Sequence, residues 1–318
     1  MPSIFIDGSA GTTGLRIRER LASRKDLTLI TLPEESRKDP EARKAALNEA
    51  DVAFLCLPDD AAREAVSLLS SPRTVLIDTS TAHRVAPGWV YGFPELPGQR
   101  DRIRSSRRIA NPGCHATGFI SLVEPLVSAG ILKQSARLSC FSLTGYSGGG
   151  KKMIAEYEAE NRSALLQAPR QYGLSQGHKH LPEMSALCGL EVPPVFSPVV
   201  APYYAGMEVT VPLTDAETDA SPEEIAAVYR SRYTDGLVRY ADAADESGFL
   251  SAGALAGRDD LEVAVFGRPG RILLVSRFDN LGKGASGAAI QNMNLVLGLP
   301  EGTGLKGAAG WISLTSGR

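Results

Sequence analysis

Ser3 to Asp7 forms a short apolar strand pattern that runs directly into Gly8-Ser9-Ala10-Gly11-Thr12-Thr13-Gly14. A helical pattern follows at once, with Leu15, Ile17 and Leu21 apolar and Arg16, Arg18, Glu19 and Arg20 polar. Strand, glycine turn and helix in that order open a βαβ unit. Its turn lets backbone N–H groups at the helix N-terminus approach a pyrophosphate. The spacing is G-x-x-G-x-x-G rather than G-x-G-x-x-G, which leaves a plain glycine-rich βα turn as the competing interpretation.

The alternation continues and constrains the fold. Leu27 to Leu32 reads as a strand, Ala45 to Ala50 as helix, Val52 to Leu57 as strand, Ala61 to Leu69 as helix and Thr74 to Asp78 as strand. Uninterrupted apolar runs separated by helical stretches indicate a parallel sheet covered on both faces. After the second strand come Glu34 and Glu35, candidates for a ribose hydroxyl, and then Ser36, Arg37 and Lys38. A hydroxyl and two cations at that place favour NADP over NAD. Cys56, inside the third strand run, reads as core. Pro58-Asp59-Asp60 and Asp78 to Arg84 follow strand ends, on the edge where open α/β sheets bind ligands. Arg84 presents a planar donor fork suited to a phosphate or carboxylate. Tyr91 to Leu96 is a turn-rich stretch with no assignment.

Arg108-Ile109-Ala110 leads into Asn111-Pro112-Gly113-Cys114-His115-Ala116-Thr117-Gly118, and an apolar helical pattern leads out through Phe119, Ile120, Leu122, Val123, Leu126 and Val127. Cys114 thus falls in the first turn of a helix, where unpaired N–H groups and the helix dipole favour a thiolate. A buried Cys is also a common small hydrophobe. The neighbouring Pro and Gly point to a reactive nucleophile.

The second half mixes antiparallel strands and helices. Ala136 to Leu143 reads as a strand ending in Thr144-Gly145-Tyr146-Ser147-Gly148-Gly149-Gly150, with a helix-like segment, Lys151 to Arg162, behind it. Gly145 to Gly149 matches the G-x-S-x-G elbow of serine hydrolases. That reading needs an acid and then a histidine downstream, and the only later histidines, His178 and His180, leave no room for the intervening sheet. His178-Lys179-His180-Leu181-Pro182-Glu183 concentrates two histidines and a carboxylate. Histidine titrates near neutrality and passes protons to and from a reaction centre. A metal set of His178, His180 and Glu183 is the rival, without an H-E-x-x-H pattern to support it. Strands follow between Val195 and Leu213. Ser221-Pro222-Glu223-Glu224 is a capping box with a first-turn Pro ahead of the helix Ile225 to Tyr233. Gly267-Arg268-Pro269-Gly270 joins a hairpin. Asp279 to Gly287 enters a last helix, Ala288 to Leu297, expected to return to the first domain.

A length of 318 residues suits about two domains. The net charge of −2 carries no footprint for nucleic acid or an acidic membrane surface. The first residues lack the basic region of a signal peptide, and no apolar run reaches the ~20 residues of a membrane span. The four cysteines, never in a C-x-x-C pair, read as reduced thiols without structural zinc, so the chain is expected in the cytoplasm.

Four stretches together resemble one known family. They are Asn111-Pro112-Gly113-Cys114, Gly8-x-x-Gly11-x-x-Gly14, His178-x-His180-x-Pro182-Glu183 and Asn280-x-x-Lys283-Gly284-x-x-Gly287. In their order along the chain, and across nearly all of it, they resemble the N-acetyl-gamma-glutamyl-phosphate reductases, relatives of aspartate-semialdehyde dehydrogenase, in the shorter size class. Asp78 to Arg84 resembles the relatives' D-x-S-x-x-F-R pattern with His83 in place of Phe.

The resemblance implies an α/β fold. A Rossmann-type NADP-binding domain (1–113) would precede an α+β catalytic and dimerisation domain (114–284), and a C-terminal helix and tail (285–318) would complete the first. It implies Cys114 as nucleophile and His178 or His180 as acid/base, oriented by Glu183. The cofactor NADPH would be held by Gly8, Ser9, Ala10, Gly11, Thr12, Thr13, Gly14, Ser36, Arg37, Asn280, Lys283 and Gly284. The small-molecule substrate, N-acetyl-L-glutamyl 5-phosphate, would be bound by Arg84, Asn111, Ser147 and Gly148. It implies no metal, and a homo-oligomer, dimer or tetramer, serving arginine biosynthesis. The alternatives are the same chemistry on another acyl phosphate, a serine hydrolase using Ser147, and a dinucleotide-binding regulator without catalysis.

Overall fold

The computed structural model describes residues 1–307. The chain divides into two compact units: Met1–Pro112 with Ala285–Leu305, and Gly113–Gly284, which Lys306 joins.

In the first unit β1 (Ser3–Asp7), α1 (Thr12–Leu21), β2 (Thr28–Ile30), α2 (Pro40–Glu49), β3 (Val52–Leu55), α3 (Asp59–Leu68) and β4 (Val75–Asp78) alternate as the apolar pattern predicts. β3 is buried along its whole length because both faces of the sheet are covered. α2 begins five residues earlier than its apolar pattern suggests. Asp39 caps it by accepting the Ala42 N–H at 3.1 Å, and Pro40 sits in its first turn, where a missing N–H costs nothing. Cys56 falls just past β3 and is half-buried. Tyr91 to Leu96 begins on the last residue of β5 (Val90–Tyr91), an edge strand, and leads toward α4 (Gln99–Ser105). β6 (Arg108–Ala110) then pairs between β4 and β5, so the parallel sheet has the order β2-β1-β3-β4-β6-β5.

The second unit starts with α5 (Cys114–Ser128), capped by Gly113, which explains why the boundary precedes Gly113 rather than Cys114. β7 (Ser139–Gly145) runs into a 3-10 turn, Tyr146–Gly149, and then α6 (Gly150–Glu158). β8 (Arg170–Gln171), α7 (Leu181–Cys188), β9 (Val195–Ala201), β10 (Met207–Thr214), α8 (Pro222–Arg232), β11 (Val238–Tyr240), β12 (Leu261–Arg268) and β13 (Arg271–Phe278) follow. Their mixed sheet has the order β11-β12-β13-β10-β7-β9-β8. The Ser221 capping box and the β12–β13 hairpin form as read, with Gly267 and Gly270 at positive φ.

α5 carries the core of this unit. Phe119, Ile120, Leu122, Val123 and Leu126 are fully buried, and the helix packs on β10, β13, α7 and α8. Each such side chain contributes about 1.5–3 kcal/mol on burial. Among the described residues helices cover only this face of the sheet, and the residues around Ala244 cover Val275 and Arg277 at one end of the other. On the other, Phe141, Val195 and Leu273 stand exposed; Phe141 opposes Thr210, Val195 opposes Ser139 and Leu273 opposes Pro212.

The last helix, α9 (Gly287–Val296), belongs to the first unit and packs on α4, β4 and α1. The tail does not stay with it throughout. Lys306 N donates to Asp259 Oδ2 at 2.8 Å, and Asp259 N donates to Lys306 O at 2.6 Å, a departure from the expected 285–318 segment. Residues 308–318 of that segment lie outside the described residues. Among the described residues no helix is long and apolar enough to cross a membrane.

Candidate active site

Two sets of functional residues form, one in each unit. In the first, the loop between β1 and α1 borders a cavity of about 400 Å³, the size of a small-ligand site. Gly8, Ser9 and Ala10 line it, with Leu29 to Leu32 on the side of β2. Gly8 has φ +84°, and a Cβ on it would sit 2.3 Å from Cys56 O; a Cβ on Gly14 would sit 2.5 Å from Gly8 O. The turn therefore keeps its tight form only with glycine at both places. Gly11 N donates to Gly8 O, and Thr12 and Thr13 open α1.

Charge in the cavity is cationic. Arg18, Arg37, Lys38 and Arg43 line it, against Glu34 and Asp7. Arg43 holds Asp7 through Nε and Nη2, both 3.1 Å from Oδ2, and burial pushes that carboxyl up from its ordinary value despite the guanidinium. Arg37 pairs with Glu34 at 2.6 Å. Ser36 turns its hydroxyl to Pro33 O and is absent from the lining, whereas Arg18, unassigned from sequence, is present. A glycine cradle at a helix start beside a cationic pocket fits a dinucleotide carrying an extra phosphate.

At the end of β4, Asp78 accepts from Ser80 and lies 2.6 Å from His83 Nδ1. The His83 ring stacks on Trp89 at 4.1 Å, an aromatic role that the relatives' Phe would share. Arg84 reaches Asn111 O through Nε at 3.1 Å and Thr79 O through Nη2 at 3.3 Å. Asn111 is buried. Its Nδ2 donates to Ala285 O at 3.0 Å, and its Oδ1 accepts from Asn292 Nδ2 at 3.3 Å. Arg84 thus ties together the ends of β4 and β6, and Asn111 ties the end of β6 to the segment that forms α9.

In the second unit Cys114 is the first residue of α5 and half-exposed. The contrast with Cys140 and Cys188 is clear: both are buried, and burial pushes their thiols well above the ordinary value. Glu183, 1 % exposed on α7, accepts the Gly113 N–H through Oε2 at 3.1 Å, while its Oε1 lies 4.0 Å from His180 Nε2. One carboxylate therefore links the start of the Cys114 helix to a histidine. His178 Nδ1 accepts the His180 N–H at 3.2 Å.

Sequence reasoning passed over His115. Its ring centroid lies 5.5 Å from that of His178 and 5.4 Å from that of His180, and the latter two are 4.7 Å apart. Three of the four histidines therefore meet beside the nucleophile. The clue was its position next to Cys114, but only pairing of distant strands places it against Ser142 and Tyr172. Burial, with the charges of His178 and Lys179, lowers its pKa to about 3. The nitrogens of His115 turn to Ser142 and Tyr172 and His178 Nδ1 to a backbone N–H, so the rings do not converge as ligands. Among the described residues no group of three or more His, Cys, Asp or Glu side chains is arranged for a metal.

Ser147, 1 % exposed in the 3-10 turn, accepts from Asn280 Nδ2 at 3.0 Å, and Asn280 Oδ1 accepts the Gly206 N–H at 2.9 Å. The hydroxyl meets an amide and not a histidine, which removes the basis for the serine-hydrolase reading. Gly148 lies beside Asn280, and a Cβ on it would sit 3.4 Å from Asn280 Nδ2. Asn280, expected at the cofactor, clamps two loops of this unit. Gly284 lies under the nucleophile, where a Cβ would be 3.0 Å from Cys114 Cβ, and Lys283 is buried in the π-helical turn Gly282–Ser286.

Residues 114–280 match the family model described as semialdehyde dehydrogenase, dimerisation domain, and residues 32–106 match semialdehyde dehydrogenase, NAD binding domain. An N-acetyl-gamma-glutamyl-phosphate reductase of Brucella ovis is 49% identical over 307 residues, covering 93% of this chain and 99% of its own. The chain belongs to the semialdehyde dehydrogenase family. Within that family it groups with the N-acetyl-gamma-glutamyl-phosphate reductases, since N-acetyl-gamma-glutamyl-phosphate reductase 2 of Nostoc sp. is likewise 47% identical over 96% of this chain and 99% of its own. Solved structures of the family share the fold. Aspartate semialdehyde dehydrogenase II of Vibrio cholerae superposes with a TM-score of 0.70 at 18% identity, covering 93% of this chain and 98% of that one. The Francisella tularensis aspartate semialdehyde dehydrogenase gives 0.69 at 14%, covering 93% and 100%.

Proposed function

We propose that the protein reduces N-acetyl-L-glutamyl 5-phosphate to N-acetyl-L-glutamate 5-semialdehyde and phosphate, with NADPH, in arginine biosynthesis in the cytoplasm. The observation that carries this reading is Cys114 at the first turn of α5, with Glu183 joining that turn to His180. The names of its relatives supply the substrate.

The Cys114 thiolate attacks the acyl carbon, and the C–O bond to phosphate breaks, leaving a thioester on Sγ. NADPH, when bound, would supply the hydride that reduces this acyl group. His178 or His180 takes the thiol proton and later serves the oxygen of the thiohemiacetal, whose collapse frees the aldehyde. Glu183 orients His180 and holds the loop before Cys114. His178, with Nδ1 accepting a backbone N–H, carries its proton on Nε2 when neutral, so it takes up the thiol proton only by releasing that bond. Gly8 to Gly14 would hold the pyrophosphate, and Arg37 with Arg18 and Lys38, which line the cavity, would receive the 2′-phosphate. Arg84, Asn111, Ser147 and Asn280 serve substrate and cofactor by fixing the loops around them, and Lys283 serves the cofactor.

The uncovered face of the second unit's sheet, with Phe141, Val195 and Leu273, is the surface through which two copies associate, in keeping with the family model for this region.

The test is the reverse reaction: purified protein, N-acetylglutamate semialdehyde, phosphate and NADP+, with NAD+ and aspartate semialdehyde as comparisons. Phosphate-dependent NADPH formation with the acetylated substrate is expected. Equal or faster turnover of aspartate semialdehyde would refute the substrate assignment.

A further inference from the structure

We propose that Tyr172 donates a hydrogen bond to the acyl oxygen of the substrate bound to Cys114, and that His115 is the positioning residue that turns the phenol to do so. The inference deepens the reading of Cys114 as the thioester nucleophile and rests on it.

Ser142 Oγ lies 2.6 Å from His115 Nδ1, and Tyr172 Oη lies 2.7 Å from His115 Nε2. Ser142 is fully buried in β7, and among the described residues its hydroxyl meets only His115. A buried hydroxyl donates its hydrogen where an acceptor exists, so Ser142 donates to Nδ1. His115 is itself buried, with a pKa near 3, and at neutral pH it carries one hydrogen. With Nδ1 accepting, that hydrogen is on Nε2 and is donated to Tyr172 Oη. The phenol oxygen thus accepts from His115, and its own hydrogen must point elsewhere.

That hydrogen stays in place. Burial, reinforced by the charge of Cys114, pushes the Tyr172 phenol far above its ordinary value. The Tyr172 ring lies 5.8 Å from that of His178, and its N–H is tied to Pro198 O at 3.0 Å. A protonated donor therefore stands beside His178, bonded to the residue that follows Cys114 and near enough to Cys114 to feel its charge. When Sγ bonds to the acyl carbon, the carbonyl π electrons move onto oxygen. Tyr172 stabilises that oxyanion without giving up its proton, and the electrons return as phosphate leaves. The same donor serves the oxyanion formed when hydride reaches the thioester.

Four variants and one spectrum test this. Tyr172→Phe is expected to lower kcat by about 10²-fold, with the KM values for semialdehyde and phosphate unchanged. His115→Leu should lose as much, and Tyr172→Phe/His115→Leu no more than either alone, because one residue acts through the other. His115→Gln, which accepts and donates in the same sense, should recover most of the lost rate. Independently of activity, nitrogen NMR of histidine-labelled wild-type protein should show His115 protonated on Nε2, a result available even if His115→Leu does not fold. Full kcat in Tyr172→Phe, multiplying losses in the double variant, a raised KM for phosphate alone or an Nδ1-protonated His115 would each overturn the proposal. Failure of those arms with Cys114→Ser inactive overturns this inference only; activity surviving in Cys114→Ser overturns the thioester reading as well.

Discussion

Glu183 Oε2 accepts the Gly113 N–H at 3.1 Å, so a carboxylate from α7 caps the helix whose first residue is Cys114. No side chain of the local sequence performs that task, and Glu183 is 1 % exposed. Glu183→Ala leaves a buried N–H without its acceptor and should cost about 1–3 kcal/mol of stability. Glu183→Gln retains an acceptor and should cost less. Thermal melting of both variants checks the order; equal losses would argue against the cap.

Cys114→Ser should reduce phosphate-dependent NADP+ reduction by at least about 10³-fold, since an alkoxide is far harder to form than a thiolate at neutral pH. NADPH binding, followed by fluorescence, should persist. Loss of both together would indicate misfolding rather than a missing nucleophile.

Gly14→Ala places a Cβ 2.5 Å from Gly8 O and forces the turn open. NADPH affinity should fall by more than about 10-fold, an energy of roughly 1.4 kcal/mol or more. Iodoacetamide labelling of Cys114 should be unaffected. Unaltered cofactor affinity would move the dinucleotide away from this loop.

His115 links pH to stability. Its pKa is about 3 when folded and 6.5 as a free group, so below pH 6.5 the unfolded chain binds a proton that the folded chain refuses. Stability therefore falls as pH drops from 6.5 toward 3, by about 1.4 kcal/mol per unit for this one group, and is unaffected above 6.5. His115→Gln should flatten the slope by that amount between pH 6.5 and 5. Identical slopes in urea titrations of the two proteins would contradict it.

Phe141→Asp with Leu273→Glu puts charge on the uncovered sheet face without touching the core beneath. The double variant should run as a monomer in light-scattering chromatography while the wild type runs as a larger species. An unchanged oligomer would place the interface elsewhere.

Much of this protein is determined locally and is legible in one dimension. Continuous apolar runs such as Val52 to Leu55 dictate parallel strands, the glycines at 8 and 14 dictate the turn, and Cys114 after Pro112-Gly113 dictates a thiol at a helix start. Strand–turn–helix chemistry is short-ranged, so these features survive in the sequence alone. What the second unit does with its side chains was decided only in three dimensions. His115 stands next to the nucleophile in sequence, but only β7, β8 and β9 bring Ser142 and Tyr172 to its two nitrogens, and only α7 brings Glu183 to Gly113. Asn280 and Ser147 looked like ligand contacts, and the fold bonds them to each other. A hydrogen bond between residues 27 to 133 positions apart leaves no periodicity or spacing to read. It exists because the sheet aligns strands remote in sequence, and burial then requires each polar atom brought inside to find a partner.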